Sequence, residues 1–217
     1  MTDDSTEEEA AYLASLRPSR IREVQAGRLG WTEVDVLGIG DAAESGALRT
    51  ALEPFGVHVN HFPVGSARHF VAALGGRRTP APYVLLCCHG DEGRILLEEL
   101  AEEIARFQPF PGHVGPAEVR THVRLPGSVV ISTGCETGAP ELAEAFLEAG
   151  ASAYVAPEGA PFGYASVFAP LLLFYELTET RSLEAAVGKL RAHDEELAMW
   201  RLFRRERRRG AGGPPPR

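Results

Sequence analysis

What most constrains this chain is an alternation. Five short apolar runs, rich in Val, Ile and Leu, are separated by stretches that carry helical spacing or turn residues. The runs are VDVLGIG (34–40), VHVNHFPV (57–64), YVLLCC (83–88), SVVIS (128–132) and SAYVAP (152–157). Runs this short and this apolar read as strands buried on both faces, and such strands lie parallel, each needing a crossover to bring the chain back to the same end of the sheet. The residues between them supply the crossovers. They are 42–52; 66–74, with Ser66 as N-cap; 97–107, with Leu97, Leu100, Ile104 and Phe107 at helical spacing; and 140–149, where Pro140 suits a first turn and Gly150 a stop. The pattern predicts an α/β fold of three layers, α/β/α, around a mostly parallel central sheet.

Two more helices follow the last run. Residues 164–177 are mostly apolar, and Ser182 can cap a long final helix with Leu183, Val187, Leu190 and Leu197 on one face. Residues 10–24 read as a short helix or two, broken at Pro18. The least regular interior stretch is 109–127, with Pro109, Pro111, Gly112, Gly115, Pro116, Pro126 and Gly127; it reads as an irregular connection and a candidate gate loop. A length of 217 residues fits one domain, since domains usually run to ~100–200 residues. That domain is expected over 10–209, between a disordered acidic tail (1–9) and a flexible Gly/Pro-rich tail (210–217).

The formal net charge of −8 argues against nucleic acid or an anionic membrane as a partner. Its distribution is uneven. Asp3, Asp4, Glu7, Glu8 and Glu9 crowd the start, while Arg201, Arg204, Arg205, Arg207, Arg208 and Arg209 crowd the end, where they read as a solvated helix terminus. No apolar run approaches the ~20 residues of a membrane helix. The start is acidic where a secretory signal would be basic and then apolar, so the expected location is the cytoplasm. Three cysteines, two of them adjacent, make a poor disulfide framework and imply reduced thiols.

Two motifs carry the chemistry. CCHGDEG (87–93) and STGCETG (132–138) each follow an apolar run, which puts His89 and Cys135 where strands leave a sheet and can present reactive side chains. A thiol of unperturbed pKa about 8.5 is only partly ionised at neutral pH. A neighbouring imidazole can take its proton and later return one to a leaving group. Gly90 permits a backbone conformation that leaves its N–H open toward a reacting carbonyl, and Gly134 and Gly138 allow a tight turn around the thiol. Taken singly, the cysteine reads as a small buried apolar group and the histidine as a structural one; the glycines around both change that balance. A helix starting near Pro140 favours thiolate and Glu136 opposes it, and sequence sets no winner.

His89 precedes Cys135 by 46 positions, close to the roughly 50-residue spacing of caspases. CHGDEG followed by Arg94 and Ile95 resembles the caspase segment that ends the histidine strand. STGCETG resembles the nucleophile turn of the wider caspase-like superfamily, which includes metacaspases, legumain, gingipains, separase and the bacterial CHAT proteins. ELAEAFLEAGASAYVAPEG (141–159) resembles the CHAT helix, turn and strand. The resemblance spans about residues 34–202 and implies a caspase-like cysteine endopeptidase. It makes His89 the general base and acid, Cys135 the nucleophile, and the backbone N–H groups of Gly90 and Cys135 the oxyanion hole. The implied partner is a protein or peptide substrate, with a partner protein of a regulatory system also in view. The different-class reading is a catalytically idle caspase-like interaction module. Substrate preference does not carry over: Glu136 stands where aspartate-cutting caspases have arginine, and Thr133 where base-cutting relatives have an acid. Glu136, Asp41 or Asp91 could still favour a basic side chain electrostatically.

Other motifs read more simply. GIGDAA (38–43) fits a dinucleotide-binding pattern, but the second run ends in Asn60, His61 and Phe62 without the required acid, so a tight turn is expected and no cofactor. His58, His61 and His69 read as packed or solvated, with no metal, and Cys87 and Cys88 as packing residues.

Overall fold

The computed structural model describes residues 32–40, 42–162, 164–179 and 182–205, with isolated positions between 8 and 28. Apart from such positions, the tails 1–9 and 210–217 and the segment 10–24 lie outside the described residues. The chain runs β1 (Thr32–Ile39), α1 (Ala42–Leu52), β2 (Val57–Val64), α2 (Ala67–Leu74) and β3 (Tyr83–Cys87). Then come β4 (Gly90–Asp91), β5 (Arg94–Leu96), α3 (Glu102–Ala105), β6 (His113–Val114), α4 (Pro116–His122) and β7 (Val129–Ser132). Last are α5 (Pro140–Glu148), β8 (Ala153–Pro157), α6 (Ala165–Thr178), α7 (Leu183–Arg191) and β9 (Trp200–Arg204).

The central sheet has six strands in the order β2-β1-β3-β7-β8-β9. Five are parallel, and β9 closes one edge antiparallel to β8. Strand alternation divides the core in two. Leu37, Val84, Leu86, Val130 and Tyr154 pack with α2, α4 and α5, while Val34, Val36, Leu85, Ile131 and Val155 pack with α1, α6 and α7. Each fully buried aliphatic or aromatic side chain contributes roughly 1.5–3 kcal/mol, so both faces must stay covered; this is the three-layer α/β/α architecture the sequence predicts.

The register fixes where the motifs emerge. Gly38 of β1 stands opposite Cys87 of β3, and Leu86 of β3 opposite Ser132 of β7. Residues 88–90 and 133–135 therefore leave the sheet side by side at its C-terminal edge. Lower in the sheet, buried Asp35 accepts from Arg78 Nη2 (2.6 Å), Ala81 N–H (2.8 Å) and Asn60 Nδ2 (3.1 Å).

Three expectations need correction. The stripe over 97–107 forms only the single turn α3, because the Leu97 N–H is taken by Gly112 O in an extension of the small sheet β4-β5-β6, leaving Ile104 and Phe107 exposed. The stretch 109–127 is no irregular connection: it holds β6 and α4, and Val114, Val119, Val123 and Leu125 are fully buried. The final helix, capped by Ser182 Oγ accepting from Ala185 N–H, stops at Arg191. Asp194 Oδ1 then caps a short turn at Leu197 N–H, and the chain enters β9. Arg201 and Arg204 thus lie on an edge strand, where they pair with Glu158 and Glu184, and their charge guards an open edge against further pairing.

Candidate functional site

His89 is exposed just beyond β3, and Cys135 is partly buried in the turn beyond β7. Their two segments interlock through backbone. A methyl added to Gly90 would collide with the Cys135 carbonyl oxygen and lie 2.6 Å from Thr137 Cγ2; one added to Gly134 would lie 2.9 Å from Cys88 Sγ. Both glycines are therefore required by close approach, a stronger reason than the turn conformation expected of them. Gly138 meets the same demand against Pro157 O, at 2.7 Å from an added methyl. Among the described residues no hydrogen bond joins the His89 ring to the Cys135 thiol. The fold brings the two backbones together and leaves the side chains unbonded to each other.

The expected donors can be followed individually. Leu96 N–H donates to His89 O at 3.0 Å, which makes Gly90 and Ile95 a non-hydrogen-bonded antiparallel pair. The Gly90 N–H consequently turns away from β5. Among the described residues no carbonyl takes the Cys135 N–H, which acts on its own thiol.

Beneath the turn lies a hydroxyl network. Ser132 Oγ meets Thr137 Oγ1 at 2.8 Å, Thr137 Oγ1 donates to Gly134 O at 2.6 Å, and the buried Tyr154 hydroxyl donates to Thr137 O at 2.9 Å. Thr133 Oγ1 accepts from Cys88 N–H (3.3 Å) and donates to Leu86 O (3.2 Å), tying the two strand ends together. Trp200, fully buried on β9, donates its indole N–H to Ser132 O at 3.2 Å. Sequence reading missed this floor, although the paired Ser and Thr of STGCETG were its visible sign.

Electrostatics favour a protonated resting thiol. Partial burial is the largest cause raising the Cys135 pKa, the Glu136 and Glu44 carboxylates add to it, and the residue's own N–H works against them. Glu44 lies in the first turn of α1 and was not singled out in sequence. Burial first, then Glu44, also pushes the Cys87 thiol well up, and burial takes Cys88 to about 12. Both cysteines are packing residues, as expected. Of the GIGDAA glycines, Gly38 serves packing, since an added methyl would strike Ser45 of α1, whose hydroxyl is 2.9 Å from His61 Nε2, while Gly40, with φ 84°, makes the expected tight turn. His58 and His69 are exposed on β2 and α2.

No protein-family model matches the sequence, and no curated protein does. Eighteen chains of known structure are similar to it. Among them is the crystal structure of the Arg-specific cysteine proteinase gingipain R, 14% identical, with a TM-score of 0.51 over 80% of this chain. The match spans 46% of that proteinase chain. At this identity the likeness is one of fold: the chain has a three-layer α/β/α, caspase-like architecture.

Proposed function

We propose that this protein is a cysteine endopeptidase in which His89 and Cys135 act as a dyad. The observation that carries the reading is the interlock of Gly90 against the Cys135 carbonyl, which draws an imidazole-bearing and a thiol-bearing turn together at one sheet edge. In this reading His89 takes the Cys135 proton as sulfur attacks the peptide carbonyl, and the developing oxyanion accepts from the Gly90 and Cys135 N–H groups. The protonated imidazole then gives its proton to the leaving amine, and water, activated by the same ring, releases the acyl group. A thiol held above its ordinary pKa needs such a base at the moment of attack, which supports proton transfer during the reaction over a preformed ion pair.

Glu44 near the thiol, together with the Arg specificity named for the structural neighbour, favours a substrate with a basic residue before the cleaved bond. The helix, turn and strand of α5 and β8 support kinship with the CHAT branch, and the absence of a helix long and apolar enough to cross a membrane among the described residues is compatible with a cytoplasmic site of action. The raised thiol and the unbonded imidazole favour, as second reading, an idle caspase-like interaction module with a partner protein. The deciding experiment is cleavage of a peptide library by wild type, Cys135→Ala and His89→Ala, with a covalent acylating probe mapped by mass spectrometry. Turnover and labelling at Cys135 that vanish in both variants support the enzyme; cleavage by well-folded Cys135→Ala refutes it, and labelling of no residue with no turnover favours the module.

A further inference from the structure

We infer that Glu136 is a positioning residue, a latch that holds the histidine-bearing hairpin against the nucleophile turn; the inference rests on the peptidase reading. Its carboxylate Oε2 accepts the backbone N–H of Glu92 at 3.0 Å. Glu92 and Gly93 form the two-residue turn between β4 and β5, and both have positive φ, 46° and 71°. Hairpin turns of this kind prefer Asn-Gly or Asp-Gly, so a glutamate in the first position depends on outside support.

Glu136 is itself in the left-handed region, with φ 57°, and its own N–H donates to Gly159 O at 2.8 Å beyond β8. One residue therefore joins three segments: the hairpin through its carboxylate, the nucleophile turn through its backbone, and the loop after β8 through its amide. There is no room for a side chain at Gly93 against Ala139 or at Gly90 against the Cys135 carbonyl, but such close approach limits how near the segments come without preventing sliding. The hydrogen bond to Glu92 supplies direction. Since His89 leads directly into β4, losing that bond lets the imidazole drift relative to the thiol. A left-handed position occupied for its backbone alone would suit glycine better, so the side chain must be what the site needs.

The test compares Glu136→Ala, Glu136→Gly and Glu136→Gln. Displacement of a catalytic group by about 1 Å costs up to about a hundredfold, so kcat should fall tenfold to a hundredfold in the Ala and Gly variants while KM changes little. Glu136→Gln keeps an oxygen acceptor and should restore kcat. Glu136→Gly relieves the left-handed backbone and should melt at or above the wild-type temperature, which separates lost positioning from lost stability. Hydrogen exchange of the Glu92 amide should quicken in the Ala and Gly variants and stay slow in Gln. Unchanged Glu92 exchange in Glu136→Ala overturns the latch, as does a Gln variant as slow in turnover as Ala. If wild type cleaves no peptide, the peptidase reading falls, and the exchange measurement alone decides whether the latch exists.

Discussion

Gly90→Ala tests the interlock on which the candidate site is built. The new methyl would overlap the Cys135 carbonyl oxygen, sit 2.6 Å from Thr137 Cγ2 and 3.2 Å from Arg94 O. Two of these three atoms are backbone, so no side-chain rotation relieves the clash. Restoring ordinary van der Waals separation requires the two turns to part by about 1 Å. Overpacking of this kind costs typically about 1–3 kcal/mol, and for a domain of this size that lowers the melting temperature by roughly 2–12 °C. The same displacement separates the imidazole from the thiol and should reduce turnover by about a hundredfold. Both losses should appear together, measured by thermal melts and peptide cleavage on the same preparation. The melting arm stands even without activity. An alanine variant that melts and turns over like wild type would refute the reasoning, because the two turns could not then be in backbone contact.

Alkylation of Cys135 by iodoacetamide should quicken with pH through a midpoint above the ~8.5 of an ordinary thiol, since burial, Glu136 and Glu44 all hold the proton on. Glu44→Gln should lower that midpoint, and a wild-type midpoint in the acid range would show an imidazolium–thiolate pair instead. Global stability should decline as pH climbs from the ordinary thiol range toward about 12, because the unfolded chain ionises Cys87, Cys88 and Tyr154 before the folded chain does, and each is raised chiefly by burial. Urea midpoints across the alkaline range should fall less steeply in Cys88→Ala, and identical slopes would refute this. Asp35→Ala should cost about 3 kcal/mol in chemical denaturation, the low end for a broken buried pair, because Arg78 keeps 30% side-chain exposure while Asp35 has none. A loss below about 1 kcal/mol would mean that Ala81 and Asn60 find other partners.

The parts of the fold that were legible in sequence are those whose local pattern agrees with their burial. YVLLCC and SAYVAP are apolar on both faces because helices cover both, and Ser66 and Ser182 cap helices with the hydroxyl geometry their positions announce. Local pattern misled where tertiary pairing overrode it. Leu97 has helical neighbours in sequence but gives its N–H to Gly112 in a sheet, and the five residues after Met199 form a strand because Trp200 fills a place under β7. The positions of His89 and Cys135 at strand ends were readable from the apolar runs before them. The contact of Glu136 with Glu92 was not, since it spans 44 positions and depends on two left-handed residues that no propensity favours.

The indole beneath β7 also sets an order of events in time. Trp200 lies 68 positions after Ser132, the residue whose carbonyl it anchors. A chain growing on the ribosome therefore exposes Cys135 long before it has made the side chain that supports the turn from below. Domains fold as units during synthesis, the earlier parts waiting on the later. The nascent thiol passes through that interval without its full supporting floor, which is complete only once β9 has been made and Trp200 can reach Ser132.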